Sequence, residues 1–264
     1  MLTSTATTSA ARDADSDATV SSEHGSRRAA PVKATTRTVA RCSTCAMRQL
    51  CMPQGLAPEE LPKLEALICA ARSVQRGEVL YRYGDRFDNV YAVRSGSMKT
   101  IVAHRDGREQ VTGLRLSGDA LGLDGISEEV HACSAVALED STVCIVPYVA
   151  LKSLCREMTS MQARVHRLMG DQIIRGASQM MVLGSLSADE RVAAFLFDIS
   201  ERNAQRGYSP AEFNLRMTRE DMGSYLGMTL ETVSRTLSRF QKRGLIDTQG
   251  KHIRIVDLAG LRQV

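Results

Sequence analysis

The chain is 264 residues long, enough for one large domain or two ordinary ones with separate cores. Its 43% apolar and 24% charged content is ordinary for a globular protein, and no run approaches the roughly 18 apolar residues of a membrane span. A net charge of +4 is too small to carry nucleic-acid binding by itself, so any such binding has to come from a local patch. Seven cysteines, an odd number, with no apolar leader ahead of them, fit reduced thiols in a cytoplasm better than a disulfide scaffold.

Residues 1–40 are Ala, Thr, Ser, Asp and Arg with almost no large apolar side chains, a composition that predicts disorder. Cys42, Cys45 and Cys51 follow as C-x2-C-x5-C. Such spacing lets a folded-back backbone aim several sulfurs at one point, which a metal or cluster needs and a packed core does not. Three thiols are one short of the four that a tetrahedral zinc or a cubane cluster takes, so a fourth ligand comes from elsewhere or the site is open. Residues 58–71 are predicted as a short helix, with Leu61, Leu64, Leu67 and Ile68 at helical spacing.

From Val74 to about Pro147 short β-type runs alternate with glycines: 79–81, 89–93, 98–103, 110–116, 134–138 and 142–146. Many short strands so punctuated predict a barrel or jelly-roll, with Asp106-Gly107 marking a hairpin turn. A long helix is expected from Met158 to Leu183. Met161, Val165 and Leu168, continued by Met169 and Ile173, give it an apolar side, either packed on its own barrel or forming a two-chain seam. Ser187 to Gln205 is another helix, opened by a capping box, and residues 212–217 alternate like a half-buried strand.

Thr218-Arg219-Glu220-Asp221 starts a short helix that runs to Gly227, and Thr229 starts a second one. This is the pattern of a helix-turn-helix. On the second helix Leu230, Val233, Leu237 and Phe240 are expected to pack inward. Glu231, Ser234, Arg235, Ser238 and Arg239 fall on another face, where Glu suits cytosine N4, Arg suits guanine O6 and N7, and Ser suits a base edge or phosphate. Lys242 and Arg243 suit phosphates, and residues 245–255 read as a β-hairpin wing.

Over about residues 41–256 the chain resembles the CRP/FNR superfamily of bacterial transcription regulators, specifically the FNR branch. The resemblance is carried by Cys42-x2-Cys45-x5-Cys51, Tyr91-Ala92-Val93-Arg94-Ser95-Gly96, Thr142-Val143-Cys144-x2-Pro147, Glu190-Arg191-x-Ala193-Ala194-Phe195 and Glu231-Thr232-Val233-Ser234-Arg235. It implies an α+β fold with a cyclic-nucleotide-binding-like β-roll (a jelly-roll), a long dimerisation helix and a C-terminal winged helix-turn-helix. The corresponding divisions are a tail at 1–40, a cysteine arm plus β-roll at 41–157, the dimerisation helix at 158–184 and the DNA-binding domain at 185–264.

The resemblance further implies a homodimer, not an enzyme, that works with RNA polymerase and takes molecular oxygen as its signal. Double-stranded DNA with TTGAT-like half-sites would be read by Glu231, Ser234 and Arg235, flanked by Thr229, Ser238 and Arg239, while Met161, Val165, Leu168, Met169 and Ile173 would form the dimer seam. A [4Fe-4S] cluster would be held by Cys42, Cys45, Cys51 and, at the matching position, Cys144, with Cys133 as the rival. No Arg or Lys lies between Arg115 and Lys152, and Glu128 and Glu129 would repel a phosphate, which argues against a cyclic-nucleotide effector. A structural zinc site and a metal-free thiol sensor are the alternatives for the same cysteines.

Overall fold

The computed structural model describes residues 41–68, 70–104 and 106–264, so the expectation for the tail lies outside the described residues. After the cysteine arm come α1 (Leu61–Leu67), β1 (Ala70–Val74), β2 (Val79–Tyr81), β3 (Asn89–Ser95), β4 (Ser97–Ala103), β5 (Glu109–Leu116), β6 (Ala120–Leu121), β7 (Ser134–Ala137) and β8 (Ser141–Pro147). The helix expected over 58–71 is a 3-10 turn followed by α1, and it stops at Leu67. Residues from Ala70 onward are drawn into the sheet by pairing with β8, where Ala71 stands opposite Cys144. That pairing outweighs the weak helical spacing of an isolated stretch.

The strands form two four-stranded antiparallel sheets, ordered β1-β8-β3-β6 and β2-β7-β4-β5. Val74, Leu80, Val93, Met98, Leu121, Ala135 and Val143 fill the space between them. The other face of the first sheet is covered as well. Val90 and Val146 join Leu64, Leu151, Leu154, Met161, Val165 and Leu168 in a second core. Burial on both faces explains why β3 reads as a nearly unbroken apolar run and not as a clean alternation.

Two helices follow, α2 (Tyr148–Glu157) and α3 (Thr159–Ser185). The expected seam divides on inspection. Met161, Val165 and Leu168 are buried against the chain's own arm and sheet, and Met169 packs on the same cluster half-buried. Of the five expected seam residues only Ile173 is open, at 73% exposure, and the exposed apolar side continues through Ile174, Met180 and Met181. The first turns of α3 thus use their apolar face within the chain, and an exposed apolar stripe begins at Ile173. Among the described residues no helix is long and apolar enough to cross a membrane.

The remainder is α4 (Ala188–Gln205), β9 (Glu212–Asn214), α5 (Arg219–Leu226), α6 (Leu230–Lys242), β10 (Ile246–Gln249), β11 (His252–Ile255) and α7 (Leu258–Arg262). The strand expected over 212–217 pairs with β11 at Glu212, Phe213 and Asn214 and ends there. Leu196, Met222, Leu226, Val233, Leu237, Phe240 and Ile253 form the core of this part, and it is continuous with Ile101, Val111, Leu114 and Leu138 of the second sheet. Leu230, expected inside, is 44% exposed at the first turn of α6, ahead of the point where that helix meets its neighbours.

Charged groups fasten the same junction. Asp119 accepts from Arg202 at 2.6 Å and Arg206 at 2.9 Å, and Arg175 of α3 stands 3.8 Å away. Lys99 of β4 pairs with Asp221 of α5 at 2.5 Å. Arg191 donates to Leu183 O, Leu186 O and Leu226 O at 2.7, 2.9 and 3.1 Å. Burial pushes the Asp119 carboxyl up, but Arg202, Arg206 and Arg175 outweigh it and hold the group below the usual aspartate range.

Between α5 and α6 the chain turns at Gly227, whose φ of +63° is left-handed and suits glycine. One turn earlier, a Cβ on Gly223 would stand 2.6 Å from Met228 O, a backbone atom that cannot swing aside.

Two stability predictions follow from these contacts. Asp119→Ala leaves buried arginines without their carboxylate and is expected to destabilise the fold by about 3–5 kcal/mol in urea denaturation at neutral pH. Because the folded value of Asp119 is depressed, its contribution is complete above about pH 4 and disappears as pH falls through the folded value. The gap between wild type and D119A therefore narrows in acid. Gly223→Ala forces α5 from the following turn and is expected to cost about 1–3 kcal/mol, read as a lowered midpoint in the same assay.

Candidate thiol centre and nucleic-acid interface

The arm is a series of tight turns. Cys45 N donates to Cys42 O, Arg48 N to Cys45 O, Cys51 N to Met47 O and Gln54 N to Cys51 O, all between 2.9 and 3.1 Å. Ser43 N binds the Glu65 carboxylate at 2.6 Å, which ties the arm to α1. These turns bring Cys42, Cys45 and Cys51 to one pocket whose opposite wall is β8 with Cys144. Ala92 and Val146 line the same wall, while Val143, the neighbour of Cys144, faces the interior of the roll. The alternation of a strand thus delivers the Cys144 thiol to the arm side.

Cys133 stands elsewhere. It is buried in the core between the sheets, and its Sγ donates to Asp124 Oδ2 at 3.4 Å. It borders a different cavity, of about 490 Å³, shared with Tyr81, Arg115, Gln172 and Ile173. Cys155 packs half-buried against the helical core.

The thiol pocket is small, about 20 Å³, and its lining carries four thiols with no carboxylate or imidazole among them. Burial first, then the negative fields of Cys144, Glu65 and Cys45, push the Cys42 thiol up to about 12. Burial also pushes Cys51 up to about 12, and it raises Cys144. Among the described residues no three His, Cys, Asp or Glu side chains converge on one point at the distances of a single metal ion. A set of thiols alone is the donor set of iron–sulfur clusters and of some zinc sites.

On α6, Thr229 is the N-cap and its side chain accepts from Thr232 N at 3.2 Å. Glu231 and Arg235 are exposed and Ser234 is half-buried, all on the face opposite Val233, Leu237 and Phe240. Hydrogen bonds from its own backbone N–H and from Thr229, with Arg235 nearby, hold Glu231 below the usual carboxylate range. Arg235 contacts Thr232 Oγ1 at 3.3 Å, and Ser238 Oγ is turned to Ser234 O at 2.9 Å. Arg239, placed by sequence on the same reading face, is drawn onto Asp189 of α4 and Thr236, so it anchors α6 as well as facing solvent. Lys242 and Arg243 are exposed at the helix end, and Lys251 and Arg254 are exposed on the β10–β11 wing.

Sequence reasoning missed Arg164, whose Nη2 donates to Leu50 O at 3.0 Å and Cys51 O at 2.9 Å from α3. The signal was present: an arginine sits within the Met161, Val165, Leu168 stripe, where helical spacing calls for an apolar residue.

Comparison with known proteins fits this arrangement. The profile of the Crp-like helix-turn-helix domain matches residues 190–264 and that of the cyclic nucleotide-binding domain matches residues 71–158. The chain is 43% identical to the transcriptional regulatory protein btr of Bordetella pertussis, over 85% of this chain and 93% of that one. It is 41% identical to the fumarate and nitrate reduction regulatory protein of Escherichia coli K12, over 84% and 89%. Among solved structures it is similar to FixK2 from Bradyrhizobium japonicum, with a TM-score of 0.69, 29% identity, and coverage of 74% of this chain and 96% of that one. The chain belongs to the CRP/FNR family and is a DNA-binding transcription regulator of the FNR type, not an enzyme.

Proposed function

We propose that the protein is an oxygen-responsive regulator that binds a [4Fe-4S] cluster, dimerises in the absence of oxygen and then binds DNA at a TTGAT-N4-ATCAA-like palindrome. The observation that carries this reading is the convergence of Cys42, Cys45 and Cys51 from the arm and Cys144 from β8 on one pocket. Cys42, Cys45 and Cys51 hold the cluster from one side and Cys144 from the other. When bound, it would supply an oxygen-labile crosslink between the arm and β8. Cluster binding would require the four thiols as thiolates, and the positive charge of the iron would offset the burial that raises Cys42, Cys51 and Cys144.

A structural zinc is the alternative. Zinc takes the same four thiols, and metal analysis of protein purified under nitrogen distinguishes the two.

Release of the arm from Cys144 loosens the packing on which the first turns of α3 rest, and α3 carries the open stripe at Ile173, Ile174, Met180 and Met181 to a second copy. Each ~1.4 kcal/mol of weakened dimer contact lowers association about tenfold. In the dimer the two α6 helices address half-sites one helical turn apart, with Glu231, Ser234 and Arg235 on base edges and Thr229, Ser238 and Arg239 beside them. The site of action is the cytoplasm, with RNA polymerase as partner. A cyclic nucleotide is not the effector: the cavity of the roll presents the Asp124 carboxylate, and the Arg115 guanidinium at its wall is engaged by Gln172 at 2.6 Å.

The deciding experiment is purification under nitrogen with a visible spectrum, followed by air exposure and a DNA-binding assay, on wild type, Cys144→Ser and Cys133→Ser. C144S is expected to abolish the cluster absorbance and C133S to retain it. A colourless wild type, or loss only in C133S, overturns the assignment. In the same assay Arg235→Ala is expected to weaken binding to the palindrome about 5–150-fold, the value of one bidentate base contact, and to relax preference at a single base position.

A further inference from the structure

We propose that Arg164 is the positioning residue through which the thiol arm and α3 act on one another. Its side chain is buried in the apolar stripe between Met161 and Leu168, where leucine or methionine would satisfy the packing. Instead the Nη2 amino group donates to both Leu50 O and Cys51 O, and the Nε proton has no partner. A buried guanidinium with an unpaired N–H is a costly way to fill a core position, so its place is explained by what it grips. The Cys51 thiol and the Asp171 carboxylate stand near it, and Arg167 is its like-charged neighbour.

The grip is reinforced on either side. One turn earlier Ser160 Oγ donates to Glu60 Oε1 at 2.5 Å. One turn later Arg167 reaches the arm at Gly55, where a Cβ would lie 3.2 Å from Nη2. Successive turns of α3 therefore hold the segment from Leu50 to Glu60, with Arg164 on the peptide that carries the Cys51 thiol into the pocket. The next turns of the same helix bear the open stripe that begins at Ile173. Displacement of Cys51 is transmitted through two charge-assisted hydrogen bonds to α3, and movement of α3 in turn shifts Cys51.

This inference rests on reading the four cysteines as ligands of one centre, and its test separates the two. Full-length wild type, Arg164→Ala and Arg164→Lys are compared by hydrogen–deuterium exchange without cluster, and by the decay of visible absorbance in air after reconstitution under nitrogen. In R164A, peptides covering residues 42–55 are expected to exchange about tenfold faster or more, since each hydrogen bond to a charged group is worth about one decade of opening or more. Strands β3 and β8 keep their wild-type exchange, and the absorbance decays several-fold faster. R164K, which keeps the charge and can donate to both carbonyls, restores both readouts partway.

Unchanged arm exchange in R164A overturns the inference, and so does an increase spread equally over β3 and β8, which marks general loosening. If R164A does not fold, Arg164→Gln replaces it and is read in the same way. A wild type that takes up no chromophore refutes the cluster reading and, with it, the coupling; exchange of the arm, which needs no cluster, then shows whether the clamp itself exists.

Discussion

A thiolate buried among other thiols loses most of the solvent that would stabilise it. Burial is the largest influence on Cys42, Cys51 and Cys144, and it outweighs the Arg94 guanidinium, which pulls Cys42 and Cys144 the other way. The pocket is therefore stable in two conditions: with its thiols protonated, or with a cation among them. Because the sulfurs come from an arm and from a strand of the roll, whatever supplies that positive charge also joins the two. A site built from the arm alone would stabilise only the arm. Under the function proposed above, it is this division of the thiols between two segments that would let occupancy change the mechanics of the rest of the chain.

The helix α3 runs from the core beside the thiol pocket to an uncovered apolar stripe. Its 27 residues extend about 40 Å. The first turns bury Met161, Val165 and Leu168 within the chain, and the later turns leave Ile173 and Met180 uncovered. One rigid element thus has its first part in a core that includes Cys42 and Met52 of the arm, and its second part exposed as unsatisfied apolar surface. Exposed side chains of this size in a continuous stripe mark a contact surface. At the other end, Asp119 and its arginines tie the roll to α4, and Lys99 ties it to α5, so the DNA-reading part is fastened to the sensor by buried charge as well as by apolar packing.

The strand pattern between Val79 and Val146, the capped helices and the helix-turn-helix were legible because each rests on local signals: glycines at turns, alternation in strands, Ser187 and Thr218 as caps. What was not legible came from contacts distant in sequence. Ala70–Val74 became a strand only because the edge of β8 lay open to it. The helical spacing of Met161, Val165 and Leu168 told that the face is buried, but periodicity carries no information on whether the burying partner is the same chain or another. The three arm thiols were visible as a cluster, whereas the place of Cys144 opposite them depends on strand alternation and sheet order. Arg164 shows the converse, a long-range contact announced by a charge in a position that periodicity reserves for an apolar side chain.

Arg191 gathers carbonyls from three places: Leu183 in the last turns of α3, Leu186 in the connection to α4, and Leu226 at the end of α5. Gln179 of α3 adds a bond to Tyr225 O at 2.6 Å. A bend at the α3–α4 connection would strip several of these acceptors from one guanidinium together. The connection therefore behaves as a weld and not as a hinge: the end of the long helix and the base of the reading head turn as one body, and the angle between two reading heads is set by how two copies of α3 cross.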